Sequence, residues 1–518
     1  MFVCFCFLSA LVVAYGGPRY PLYAISSKPS ETTDADIEII ASNFTYIHGK
    51  FNSDQLQKMS QRIQAVSYIN SEVVEADLLE QSGRFNASYY SAGQLVQSLD
   101  KDSTSFLYQP ASKVPVLISS TTSLNESVNS TNYVIFVRID SELMKIIDVD
   151  SKEKNGSYLI KVVRGFENTK RIEHRSGATV FGPVYNSNRS PGKSGKLSYM
   201  IDPSGQLAVD ILVNHTLSAV NAGYNGSWFD LFSAGENNAV DMGGANVKTY
   251  WNFAKGQTYT KDDFVLAQQH RLTTVFTATQ KILGKYPAIL ANNMHGCWYS
   301  DKGDCKKLVV QSANFRPLDG YCMENFAGYE SAENGGCQGK IDLYYQPFDK
   351  WLYNVQVIMD AAQKNLSGFP MIGSAGCQSV GLEIIGGPAR DKYEAYAYAS
   401  YLLAVSNSSG KTRLGIPAFY TNGSVRYAHV NRRYFWPIGQ PLEHAKNVTE
   451  YQTKLKGHIS FVRSFTGGIV VVNPSNTTDT NFPLGGKYID PNTKESLTVL
   501  NVGKQSGYIL LKDKFIFS

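Results

Sequence analysis

Two carboxylates stand at the ends of short apolar runs far apart in the chain. Asp230 closes GSWFD (226–230) and Glu324 closes LDGYCME (318–324). Five of the six residues before Glu324 are apolar or Gly. A carboxylate that ends a buried strand is costly unless it serves a purpose. Two carboxyl groups facing one bond can do acid/base work. One protonates a leaving oxygen, and the other attacks the carbon or activates water. That is the chemistry of glycosidic cleavage, and the two roles are interchangeable at this stage. Asn292 and Asn293 end YPAILANN (286–293), with His295 and Trp298 just beyond. Glu383 lies in VGLEIIGGP. The apolar face of a sugar stacks on aromatic rings, so Trp228 and Tyr321, inside the two carboxylate-bearing runs, join Asn292, Asn293, His295, Trp298 and Glu383 as expected substrate contacts.

Other chemistries find no support. The chain has no Gly-x-Ser-x-Gly elbow, Walker loop or dinucleotide fingerprint. It has no Cys-x-x-Cys pair or His-rich cluster, so neither a metal nor a cofactor is expected. The net charge of +5 arises from 49 basic and 44 acidic residues without a dense Lys/Arg block, which argues against nucleic acid as a partner. The expected partner is a polysaccharide or oligosaccharide, and the expected state a monomer.

The elements that must position these residues alternate. IEIIASNFTYI (37–47) and RIQAVSYIN (62–70) read as strands, with SDQLQKMSQRI helical between them. DPSGQLAVDILVNHTLSAV reads as a helix with Asp202 at its N-cap and Pro203 in its first turn. Strand GSWFDLF (226–232) follows, then a long helix over 260–283 opened by Thr260 and Asp263 at capping-box spacing. Strands at 286–293, 318–325, 369–374 and 415–421 alternate with helices at 348–365 and 391–406. Repeated βα units of this kind predict a (β/α)₈ barrel with its active site at the C-terminal strand ends. The 518 residues hold such a barrel plus accessory modules, and 43% hydrophobic content supplies its core. Residues 100–195 lack helical period and carry short strands at 132–139, 157–166 and 178–185, so they read as an inserted β-rich module. In the tail, 459–475, 485–490, 495–502 and 506–512 read as strands joined by Gly, Pro and Asn turns. They form a small antiparallel β-domain, whose first run could also supply the last barrel strand.

MFVCFCFLSALVVAYGG has the apolar core and small-residue end of a secretory signal. The expected organisation is therefore a signal peptide at 1–17, barrel segments at 18–99 and 196–460, the module at 100–195 and the β-domain at 461–518. No membrane span is expected after signal removal. Thirteen Asn-X-Ser/Thr sequons fit an N-glycosylated, secreted or lumenal protein. Cys297, Cys305, Cys322, Cys337 and Cys377 would then be exposed to oxidation, with Cys297–Cys305 the easiest pair to close.

The chain resembles the hypothetical-glycosidase-like group of glycoside hydrolases, which are barrel proteins with a C-terminal β-domain. The resemblance lies in AGYNGSWFDLF (222–232), PLDGYCMENF (317–326), and FVRSFTGGIVVVNPS (461–475) with LGGKYIDPNTKESLTVLNVGKQSGYILL (484–511). It implies a barrel carbohydrase with catalytic carboxylates at Asp230 and Glu324. Asn225 departs from the group, standing where Asp is common and beginning a sequon that requires exposure. Separately, VVRGFENTKRIEHRSGATV (162–180) resembles a small β-module of carbohydrate-associated and phage-tail proteins. The alternative to an enzyme is a non-catalytic carbohydrate-binding or structural cell-surface glycoprotein on the same scaffold.

Overall fold

The computed structural model describes residues 20–515, except 21, 26–32, 50, 60–61, 71–72, 76–86, 88, 112–135, 153–155, 185–197, 231–240, 243–244, 247–250, 293–319, 324–325, 333–340, 364–367, 371–387, 408–410, 418, 423–424 and 429–430. It is a mixed α/β structure whose central sheet has eight strands. These are β1 (Leu22–Ile25), β2 (Tyr46–Gly49), β3 (Gln64–Asn70), β4 (Gly226–Asp230), β5 (Ala288–Asn292), β6 (Gly320–Met323), β7 (Gly368–Pro370) and β8 (Leu414–Pro417). Every pairing is parallel, and the order across the sheet is β7-β6-β5-β4-β3-β2-β1-β8. Each strand therefore lies beside its neighbour in sequence, and the last lies beside the first. The outer strands β7 and β8 approach within 8 Å between Cα atoms without a described hydrogen-bonded ladder. Among the described residues six helices intervene: α1 (Asp34–Asn43), α2 (Ser53–Met59), α3 (Gln206–Asn221), α4 (Lys261–Leu283), α5 (Phe348–Gln363) and α6 (Pro388–Ala404). Among the described residues, no helix is long and apolar enough to cross a membrane.

Local chemistry explains where the elements begin, including two departures from the expectations above. IEIIASNFTYI is not one strand but α1 followed by β2. Thr33 accepts a hydrogen bond from the Asp36 amide at 3.3 Å, and Asp36 accepts one from the Thr33 amide at 2.9 Å, closing a capping box. Ile37, Ile40 and Ala41 then bury one helical face. Helix α3 starts at Gln206 behind Gly205 rather than at Asp202. The Asp202 carboxylate is instead engaged by the Tyr259 hydroxyl at 2.8 Å and by Ser204. Helix α4 opens as expected, with Thr260 accepting from the Asp263 amide at 3.1 Å. Gly226 begins β4 because an added Cβ would lie 1.8 Å from the Ala288 carbonyl oxygen. Asn225 just before it is exposed, and its Oδ1 accepts from the Ala65 amide at 2.9 Å.

Between β3 and α3, six antiparallel strands close a separate barrel: Tyr89–Leu95, Ser105–Pro110, Phe136–Ile139, Glu142–Lys152, Tyr158–Val163 and Thr179–Pro183. It is the closed barrel found among the described residues. The chain enters and leaves through a stem in which Val73–Glu75 pairs antiparallel with Ser198–Met200. An aromatic cluster that includes Tyr89, Phe136, Trp251 and Phe253 holds the module against α3.

The tail forms a five-stranded antiparallel sheet from Phe461–Ser464, Gly468–Asn473, Asp479–Ile489, Ser496–Val502 and Ser506–Leu511. Its first strand pairs antiparallel with its second, so 459–475 adds nothing to the parallel sheet. The tail sheet packs on α6 in one continuous core with Trp351, Tyr396, Phe461, Val470 and Ile509. Arg463 is buried and its Nη1 donates to the carbonyls of Leu402 (2.8 Å), Leu403 (2.9 Å) and Val405 (2.6 Å). A cation from the tail thus satisfies the unpaired carbonyls that end α6.

Candidate functional site

Alternation along the strands sorts the central sheet into two faces. Phe229 and Ile289 pack with Val209 and Leu212 of α3 and Leu272 and Val275 of α4. Ile47, Ala65 and Met323 join the other helix-packed core. The opposite face carries His48, Val66, Tyr68 and Trp228. Register extends this inner face to the strand ends. Position 230 pairs with 70, and 229 pairs with 291, so 230 stands level with 292, which itself pairs with 322.

One described cluster occupies this face just below the strand ends. His48 stacks on Trp228 with ring centroids 4.3 Å apart and an interplanar angle of 2°. The Tyr68 ring is tilted 32° to that of Trp228, with its centroid 5.2 Å away. Trp228 is 2% exposed and His48 7% exposed. Burial pushes the His48 imidazole down to about 3, so it is neutral through the physiological range. The three rings come from three adjacent strands and pack on one another as a largely buried aromatic stack. Trp228 was expected here from its strand. His48 and Tyr68 were not, although HG at the end of one β-branched run and YIN at the end of the next carried a signal of position.

The expected residues are distributed as follows. Asp230 and Asn292 are the last residues of β4 and β5, level with each other at one end of the sheet. Strand β6 ends at Met323, the residue before Glu324. Tyr321 pairs with Ala291 and Gly368, and its position falls on the helix-packed face rather than the inner one. Glu324, Asn293, His295, Trp298 and Glu383 lie outside the described residues, as do Cys297, Cys305, Cys337 and Cys377. No group of three or more His, Cys, Asp or Glu able to hold a metal ion occurs among the described residues.

Two other polar clusters resemble catalytic sets but are fully used as ties. In the module, Arg164 clamps Glu142 through Nε at 2.7 Å and Nη2 at 2.8 Å. His174 bridges Asp140 (2.7 Å) and Glu142 (3.0 Å). In the tail, Asp479 holds His458 Nδ1 at 2.6 Å, both the Ile459 and Ser460 amides, and the Ser460 hydroxyl. The serine and histidine both face the aspartate rather than each other, so no nucleophile–base contact exists there.

No family model matches the chain, and no curated protein does. Partial likenesses to solved structures do occur. The glycoside hydrolase domain of PelA from Pseudomonas aeruginosa aligns at 9% identity over 78% of this chain and 96% of that one, with a TM-score of 0.34. Amy13B of Eubacterium rectale aligns at 8% identity over 96% of both chains, with a TM-score of 0.39. A pyruvate kinase of Cryptosporidium parvum aligns at 9% identity over 79% of this chain and 68% of that one, with a TM-score of 0.30. At such scores neither a family nor a reaction follows from them.

Proposed function

We propose that the chain is a secreted glycoside hydrolase on a (β/α)₈ plan, in which Asp230 and Glu324 cleave a poly- or oligosaccharide by two-carboxylate chemistry. The observation that carries the reading is the register at the strand ends. Position 230 closes β4 on the inner face, level with Asn292, and β6, two strands away, ends one residue before Glu324. Two interstrand spacings across the sheet and two residues along the strand separate those two positions by roughly 12 Å. Inward side chains would narrow that gap to the span of about 5–9.5 Å that glycosidase carboxylates use. The strand order β1 to β8, with β8 beside β1, is the order of a (β/α)₈ barrel, which carries its chemistry at this end. Beneath lies the aromatic stack of Trp228, Tyr68 and His48, which would brace the strand ends that carry the carboxylates.

Exposed sequon asparagines at 225, 407, 447 and 476 support a glycosylated, secreted chain. Asn43 is different, because it is buried and its Nδ2 donates to the Ile39 carbonyl at 2.6 Å.

The test is product analysis on a panel of algal and plant polysaccharides. Glu324→Gln and Asp230→Asn should each lower kcat by about 10²–10⁴ while leaving glycan binding in place. Glycan binding by the unmutated chain without any cleavage would replace the hydrolase with a carbohydrate-binding glycoprotein on the same scaffold.

A further inference from the structure

A cavity of about 460 Å³ opens where the first turn of α6 meets the tail sheet and the short helical turn Arg432–Phe435. Its size falls among small-molecule sites, roughly 300–1,000 Å³. None of the residues of the aromatic stack described above lines it.

The lining has a definite chemistry. Asp391 and Asp490 are offset by Lys392 and Arg433, so the cavity has no net charge to favour a phosphate or a cation. Two aromatic side chains, Trp436 and Tyr508, share that lining, and both are partly exposed. Arg433 is itself 3% exposed. Its Nη1 donates to the Asp391 carbonyl at 3.0 Å, and its Nη2 pairs with the Asp391 carboxylate. Its Nε–H is buried and has no hydrogen-bond partner among the described residues. Carboxylates that accept from hydroxyls, donors for ring and hydroxyl oxygens, and aromatic faces for C–H groups together match a neutral sugar.

We propose that this seam is a second carbohydrate site, which holds a neutral glycan without cleaving it. The inference rests on the reading of the chain as glycan-active. It gives the tail sheet a task beyond covering α6, namely retaining a polymer while the strand-end site works on it.

Affinity electrophoresis of the full chain through gels containing laminarin, soluble starch or arabinoxylan tests this. The unmutated chain should be retarded in at least one gel. Tyr508→Ala and Asp490→Ala should each weaken that retention at least fivefold, with hydrolysis of a short chromogenic glycoside unchanged. Circular dichroism melting checks folding, and if Tyr508→Ala unfolds, Asp490→Ala decides. Glu324→Gln should be retained like the unmutated chain. Undiminished retention of both seam variants, or no retention of the unmutated chain in any gel, overturns the proposal. Seam-dependent retention without any hydrolysis overturns the catalytic reading alone.

Discussion

His48 is a histidine that works by staying neutral. Its unfolded imidazole would take a proton near 6.5, whereas in the folded chain burial postpones that to about 3. Between those values the unfolded chain binds the extra proton, so the stability is full above about pH 6.5 and falls steadily as pH drops toward 3. Urea unfolding across that range should show the slope, and His48→Phe, which keeps a ring against Trp228, should flatten it. An unaltered slope in the variant would remove His48 from the account. Only part of this cluster was legible in the chain. Trp228 stood out because a strand ending in a carboxylate surrounded it. His48 was hidden inside a run of isoleucines and aromatics that looked like a single strand, and its partner lies two strands away across β3. The position of Tyr321 shows the converse. Its residue type suits sugar stacking, but alternation along β6 assigns it to the helix side, and a one-residue difference in phase is invisible without the pairing.

At the scale of elements, the stretch VVRGFENTKRIEHRSGATV was readable as a β-module, while the reason for its Arg, Gly and His was not. Glu142, 0% exposed, comes from the preceding hairpin and lies at the centre. Burial would push its carboxyl up. Hydrogen bonds from Arg164, the Gly165 amide, His174 and the Ile172 amide outweigh that and hold it at about 2. A carboxyl depressed from 4.5 stabilises the fold above about pH 4.5 and loses that contribution as pH falls toward 2. The contribution is on the order of 3 kcal/mol. Glu142→Gln should therefore make the module open to limited proteolysis at neutral pH, and should remove the further acid-dependent loss of module protection below pH 4.5 that is expected of the unmutated chain. Proteolytic resistance equal to that of the unmutated chain would contradict the clamp. The helices were legible where caps and period agreed, as in α4. Misreadings arose where a β-branched run disguised a capping box, as in α1, and where a distant hydroxyl claimed the expected cap, as Tyr259 does with Asp202.

Across the whole molecule, the βα alternation was readable because each unit is local, and the strand order follows it from β1 to β8. The joining of α6 to the tail was not, because it depends on a core shared between distant segments and on one arginine reaching three carbonyls some sixty positions earlier. Arg463→Met should leave those carbonyls unpaired and lower the unfolding free energy by about 3 kcal/mol or more. A shared core further predicts that the urea midpoints of α6 and the tail sheet move together, which hydrogen exchange at Leu402 and Val470 can follow. A shift confined to the tail would divide the core into independent parts.

The same tie bears on how the chain is made. Helix α6 leaves the ribosome well before the strand that covers it, Ser506–Leu511, whose Gly507 fits so tightly against the helix that an added Cβ would meet that of Ala399 at 2.6 Å. Until Arg463 and then that strand arrive, the helix has an uncapped end and a bare apolar flank, so the parallel sheet and its helices wait in an unfinished, adhesive state for the tail. Nascent chains stalled after α6 should accordingly be the ones that chaperones hold.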